Sequence, residues 1–230
     1  MKWFSKRARA LINAALAVMM VALYIAITTP AAKSAISELY NSPIYRGHKK
    51  GHVAVACAVS WNASAIMDML DTLKENDVTV TFLLSGEYAK ENGETVRRMV
   101  EDGHEIGTMG NDPHRDGDAA YISEDVSDAA RIIQMASGVK PALYYSGVRD
   151  VKTSSRAASR LEMTHILCTV DVLSARGTAQ DILSRALDKP FDGSIILMEP
   201  TKEAAKALPA CLNGLKGYGF EVTTVGNVLG

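Results

Sequence analysis

From Ala10 to Ala32 the chain carries no charged residue, in ALINAALAVMMVALYIAITTPAA, and beyond it the apolar positions break into short runs alternating with amphipathic stretches. HVAVACAV is a run of small and β-branched residues of strand length. In the following SAIMDMLDTLKEND, Ile66, Leu70 and Leu73 return every three or four positions and share one helical face. VTVTFLLS reads as a second buried strand and GETVRRMVEDG as a second helix closed by Gly103. The rhythm continues through DVSDAARIIQMASG, with Val126, Ala130 and Ile133 on one face. Then come PALYYSG, KTSSRAASRLE, HILCTVDV, TAQDILSRALD, GSIILME, AAKALPACLNGLKGYG and EVTTV. Strands alternating with helices predict a parallel sheet covered by helices. Roughly seven such units in about 185 residues favour a closed or nearly closed barrel over a doubly wound sheet.

Lys2, Lys6, Arg7 and Arg9 crowd the end before the uncharged run. Residues 10–32 therefore read as one N-terminal transmembrane helix, with residues 1–9 as its basic cytoplasmic flank. A secretory signal peptide competes, since TTPAAKSA offers small residues for cleavage, but its apolar region usually spans only about 7–15 residues. Either reading exports the chain beyond Lys33; the anchor reading places a single-pass protein in the cell membrane with its C-terminal domain outside the cytoplasm. Residues 33–50, KSAISELYNSPIYRGHKK, are polar and contain Pro43 and Gly47, which predicts a stalk, leaving 51–230 as the domain.

A net charge of -1 and a pI near 6.5, with no arginine-aromatic interleaving, leave no phosphate-tracking surface and exclude nucleic acid as a partner. Cys57, Cys168 and Cys211 are odd in number and widely spaced, so they read as buried thiols rather than a disulfide framework. No glycine fingerprint follows the first strand, which disfavours a nicotinamide enzyme. One stretch does carry chemistry: EDGHEIGTMGNDPHRDGD, residues 101–118, gathers His104, Glu105, Asp112, His114, Asp116 and Asp118 among turn glycines, the composition of a hydrolytic metal site.

Several stretches, from VAVACAVSWNASAIMDMLDTLKENDVTVTFLLSGEYAKENGETVRRMVEDGHEIGTMGNDPH through KPALYYSGVRD and CTVDVLSARGTAQDILSRALDKPFDGSIILMEP to LPACLNGLKGYGFEVTTVGNVL, span about residues 52–229. In order and spacing they resemble the polysaccharide deacetylase family, the NodB-homology domain or carbohydrate esterase family four. The short anchored form is similar to envelope- and sporulation-associated members of that family. The resemblance implies a distorted (β/α) barrel. It also implies a zinc-like cation held by an aspartate and two histidines, beside a base aspartate and an acid histidine, hydrolysing an acetamide.

The positions matching those groups are altered throughout. Where the resemblance expects the base and metal aspartates stand Ala58 and Val59; where it expects the metal histidines stand Met109 and Pro113, with His114 one position on. Tyr145 replaces the orienting arginine, Ser174 and Ala175 an Asp-Trp pair below the retained Asp171, and Glu199 the acid histidine. None of Ala58, Val59 or Pro113 can bind a proton or a metal. The framework survives while the chemistry is lost, which is the mark of a pseudoenzyme.

The remaining residues have two possible uses. Asp112, His114 and Glu199 are the donors from which a rebuilt zinc site could be made, Glu199 acting as an acid if burial raised its pKa. Trp61 and Tyr145 offer aromatic faces on which a sugar ring could stack. His104 and His165 read as framework histidines near strand starts, and Ser60, Ser85 and Ser146 lack a visible histidine to activate them. The expectation is a membrane-anchored pseudoenzyme without cofactor, binding peptidoglycan or a related glycan or scaffolding the cell envelope. The alternatives are a divergent, zinc-dependent polysaccharide N-deacetylase and a module that binds other envelope proteins.

Overall fold

The computed structural model describes residues 6–28, 42–61 and 63–230. The chain divides into two compact units at Ser42/Pro43. In the first, a helix, α1 (Lys6–Thr28), covers most of the expected anchor; residues 29–32 of that span lie outside the described residues. Its described apolar side chains, among them Val18, Met20, Leu23 and Tyr24, are exposed. Among the described residues no helix is long and apolar enough to cross a membrane.

The second unit runs β1 (His52–Val59), α2 (Ile66–Glu75), β2 (Thr81–Ser85), α3 (Gly86–Glu91), α4 (Gly93–Glu101), β3 (Glu105–Gly110) and α5 (Ala119–Ser137). It continues with β4 (Leu143–Tyr145), α6 (Val151–Arg160), β5 (Thr164–Ile166), β6 (Val170–Asp171), α7 (Ala179–Ala186), β7 (Ile195–Met198), α8 (Lys202–Gly217), β8 (Glu221–Thr223) and α9 (Val225–Leu229). All ladders between these strands are parallel, in the order β5-β4-β3-β2-β1-β7-β6, with β8 paired to the start of β1.

β1 is the strand about which the layers are built, and its alternation explains them. Val53, Val55, Cys57 and Val59 face the outer layer, packing with Leu70 and Leu73 of α2 and Leu208 and Leu212 of α8. Ala54, Ala56 and Ala58 face the interior, where their small side chains leave room for Leu83, Met109, Leu143, Ile166 and Leu197. Val225 and Val228 of α9 join that interior cluster. The plug is tied in place by Glu105, whose Oε2 accepts from Thr81 Oγ1 at 2.6 Å and from the Gly226 amide at 2.9 Å.

Against the expectation of a closed or nearly closed barrel, the sheet is a half-barrel whose ladder is open between β5 and β6. HILCTVDV was expected as one strand, but the chain leaves β5 at Ile166 and crosses to the opposite edge before β6. The gap is bridged by the segment 43–47, which the sequence places in the stalk. Ile44 donates its amide to the His165 carbonyl and accepts from the Leu167 amide, both at 2.8 Å, and the Gly47 amide reaches the Gly193 carbonyl at 2.7 Å. Gly47 packs so closely on the Val228 backbone that any Cβ there would overlap it. The folded unit therefore starts at Pro43, and residues 43–50 are corrected from stalk to domain.

Both framework histidines are buried. His104 lies edge-on to Phe82, with ring centroids 5.0 Å apart, and its Nδ1 accepts from the Val80 amide at 3.2 Å. His165 stacks on Tyr144 with its Nδ1 2.8 Å from Ser155 Oγ. Neither Nε2 has a partner, and at His104 the second proton of an imidazolium would go on Nδ1, against the Val80 amide that donates to it. Burial accordingly depresses each pKa to about 4. An unfolded chain would take up these protons near pH 6.5, before the native state does. Stability is thus present above pH 6.5 and falls as the pH drops towards 4, by at most about 3 kcal/mol per histidine. Urea unfolding should show a lower midpoint at pH 5 than at pH 7.5, with His104→Gln reducing the difference.

Candidate functional site

Parallel strands present their carboxyl ends at one mouth, where (β/α) folds carry their chemistry. The stretch 101–118 does not sit there as a block, because β3 carries it across the height of the sheet. His104 and Glu105 lie at the start of β3, far from the mouth, where Glu105 serves the α9 plug. Only the part after Gly110 reaches the mouth.

That loop is held by a group that no sequence motif singles out. Arg149, in the turn after β4, has a side chain with no exposed surface and forms an ion pair with Asp125 of α5 at 2.6 Å. The guanidinium also donates to the Asp112 carbonyl at 2.6 Å and to the Arg115 carbonyl at 3.0 Å. Asp125 accepts the amides of Asn111 and Asp112, each at 3.0 Å. Gly110 has φ +90°, and a Cβ there would overlap Asp125 and Arg149, so only glycine lets the strand end against the pair. A signal was available: Asp125 falls between Ile122 and Ala129 on the buried face of α5, where an unpaired carboxylate could not stay.

The loop's other carboxylates are engaged locally. Asp118 caps α5, accepting from the Ala120 and Tyr121 amides at 3.0 and 2.8 Å, and Asp116 accepts from the Gly117 amide at 2.9 Å. His114 is exposed and lies parallel to the Trp61 ring, with centroids 5.3 Å apart and planes 12° from parallel. Trp61 is 67% exposed. Tyr145, expected to share the stacking role, is half-buried against the interior cluster; the exposed aromatic surface is Trp61 with His114.

Around Tyr145 the mouth is acidic. Burial pushes its phenol up, reinforced by Cys168, Asp171 and Glu199. Burial also raises Glu199, as does the charge of Asp171, while His114 opposes the shift. Cys168 rises to about 11, mainly through burial and then through Asp171. Ser174, standing for a family aspartate, has become a tether: its Oγ accepts the Glu199 amide at 2.9 Å and its carbonyl accepts from Thr201 Oγ1 at 3.1 Å.

A metal does not fit the residues present. Ala58 and Met109 are packed in the interior cluster, Val59 is in the outer apolar layer, and Pro113 is buried. Among the described residues no three His, Cys, Asp or Glu side chains converge to hold a metal ion. Of the donors from which a rebuilt zinc site could be made, His114 lies on the Trp61 ring with its charge reaching Glu199, and Asp112 is held through its backbone by Arg149 and Asp125.

An open half-barrel of parallel strands with its mouth built from strand-end loops defines the architecture of carbohydrate esterases of family four. The chain belongs to the polysaccharide deacetylase family: the polysaccharide deacetylase family model matches residues 53–166. It is 30% identical over 195 residues to the uncharacterised protein YlxY of Bacillus subtilis, covering 83% of this chain and 61% of that one. A peptidoglycan-N-acetylglucosamine deacetylase of Bacillus cereus is 26% identical over 169 residues, covering 68% of this chain and 60% of that one. The chain thus spans about three fifths of both relatives. Among solved structures, wild-type BA3943 of Bacillus anthracis, a family-four pseudoenzyme, is 28% identical with a TM-score of 0.76, covering 83% of this chain and 69% of that one. A BA3943 mutant with restored enzymatic activity superposes with a TM-score of 0.77 at the same identity, covering 83% of this chain and 72% of that one.

The ion pair carries the loop's order. Arg149→Ala should cost about 3–5 kcal/mol by leaving Asp125 buried and unpaired, lower the melting temperature, and release protection of the Asn111 and Asp112 amides in hydrogen exchange. Arg149→Met combined with Asp125→Leu should cost less than Arg149→Ala alone.

Proposed function

We propose that this protein is a membrane-anchored, extracytoplasmic member of the polysaccharide deacetylase family that has given up catalysis and binds glycan or scaffolds the cell envelope at its mouth. The observation that carries this reading is the apolar occupation of the positions the family uses for base and metal, by Ala58, Val59, Met109 and Pro113, three of them packed into the hydrophobic clusters. Without a cation to polarise a carbonyl and acidify a water, Glu199 has no nucleophile to serve. The likeness to BA3943 supports the same reading. The exposed Trp61–His114 pair beside an acidic rim supports sugar binding, since an aromatic face suits the apolar face of a pyranose. The anchor rests on the sequence alone, on the uncharged run of residues 10–32 behind a basic flank.

Metal analysis and zinc titration of protein purified without chelator, beside turnover assays on chitooligosaccharide and peptidoglycan fragments, should show neither stoichiometric metal nor deacetylation, and Glu199→Gln should change nothing. Tight zinc with turnover would overturn the reading. Val59→Asp alone should destabilise by several kcal/mol, since its carboxylate would enter an apolar layer; the thermal midpoint reports it. Deleting residues 10–32 should move the protein from the membrane to the soluble fraction.

A further inference from the structure

A cavity lies beside Trp61. It occupies about 570 Å3 between the loop after β1 and the α3–α4 segment, and none of Ala58, Val59, Met109, Pro113, Tyr145 or Glu199 lines it. That volume is in the range of small-ligand pockets. Trp61 and Tyr88 supply aromatic surface, Asn92 and Thr95 hydrogen-bonding groups, and Glu87 and Glu91 negative charge. We propose that this cleft binds a hexosamine unit in its free-amine, cationic form.

The charge arrangement singles out that ligand. Glu87 and Glu91 are one turn apart on α3 and both exposed, a like-charge spacing that disfavours the helix unless a cation lies between them. Among the described residues neither carboxylate has a cationic partner. Lys90, on the same short helix, does not line the cleft. Asn92 donates its Nδ2 to the Tyr88 carbonyl at 3.0 Å, which fixes its side chain and leaves Oδ1 free to accept from a sugar hydroxyl. An N-acetylated sugar presents a neutral amide to this pair of carboxylates. Removal of the acetyl group leaves an amine, protonated at neutral pH, that they can hold. The cleft therefore suits the product of a deacetylation rather than its substrate. It shares Trp61 with the mouth and so rests on the glycan reading of that surface in part.

The test is calorimetric titration of the full chain in detergent with glucosamine tetramer and with N-acetylglucosamine tetramer, at low salt and at about 0.5 M salt. The free-amine oligomer should bind about tenfold more tightly at low salt, with the preference shrinking as salt rises. Glu87→Gln with Glu91→Gln should abolish the preference, while the charge-matched Glu124→Gln with Glu162→Gln, exposed and outside the cleft, should leave it in place. Equal affinities, or a preference that survives the glutamine pair, overturn the cleft. In either of those cases, loss of N-acetyl oligomer binding in a separate His114→Ala, Tyr145→Phe variant keeps the mouth reading standing. Failure of both oligomers to bind overturns the cleft and the glycan part of the mouth reading together.

Discussion

The structure depends on which way the side chains of β1 point. This strand touches β2, β7 and β8, and because its inward residues are alanines the sheet can curl tightly about a narrow, largely apolar interior. With Ala58 and Met109 in that interior and Val59 in the outer layer, three of the positions matching the family's base and metal ligands are taken up by hydrophobic packing. Chemistry and packing thus compete for the same few positions, and here packing has them. A carboxylate or imidazole returned to this layer would have to recover its hydration from partners that are not there.

The loop above the core is ordered by different means. The Arg149–Asp125 pair, with its guanidinium fully buried, is expensive to desolvate, so its value lies in the backbone groups it satisfies. Asp125 takes two loop amides and Arg149 takes two loop carbonyls, so the segment from Asn111 to Arg115 is held at both ends by this pair. On that fixed loop His114 lies against the Trp61 ring.

Much of the layout was legible in the sequence because period and turn chemistry are local. The helices at SAIMDMLDTLKEND and TAQDILSRALD and the strands at HVAVACAV and GSIILME stand where their patterns place them. Three features were not legible, each because it depends on contacts distant in sequence. HILCTVDV has a strand's composition, yet crosses between two sheet edges. Residues 43–47 read as polar linker, yet their backbone is bound on both sides of the gap. The clustering of acids and histidines in 101–118 was real in sequence but not in space, since β3 separates its ends and Asp118 is spent on a helix cap. For the site, substitution of the family positions was visible from residue types alone; that Val59 and Met109 would enter different hydrophobic clusters was not.

The segment at 43–47 also bears on solubility. An open parallel sheet ends in two rows of unpaired amides and carbonyls, which are templates for another strand. By occupying part of that gap, Ile44 and Gly47 turn the leading edge of the folded unit into a guard against edge-to-edge pairing. A fragment cut after residue 50 would keep every strand and helix of the sheet, yet lose its protection from self-association.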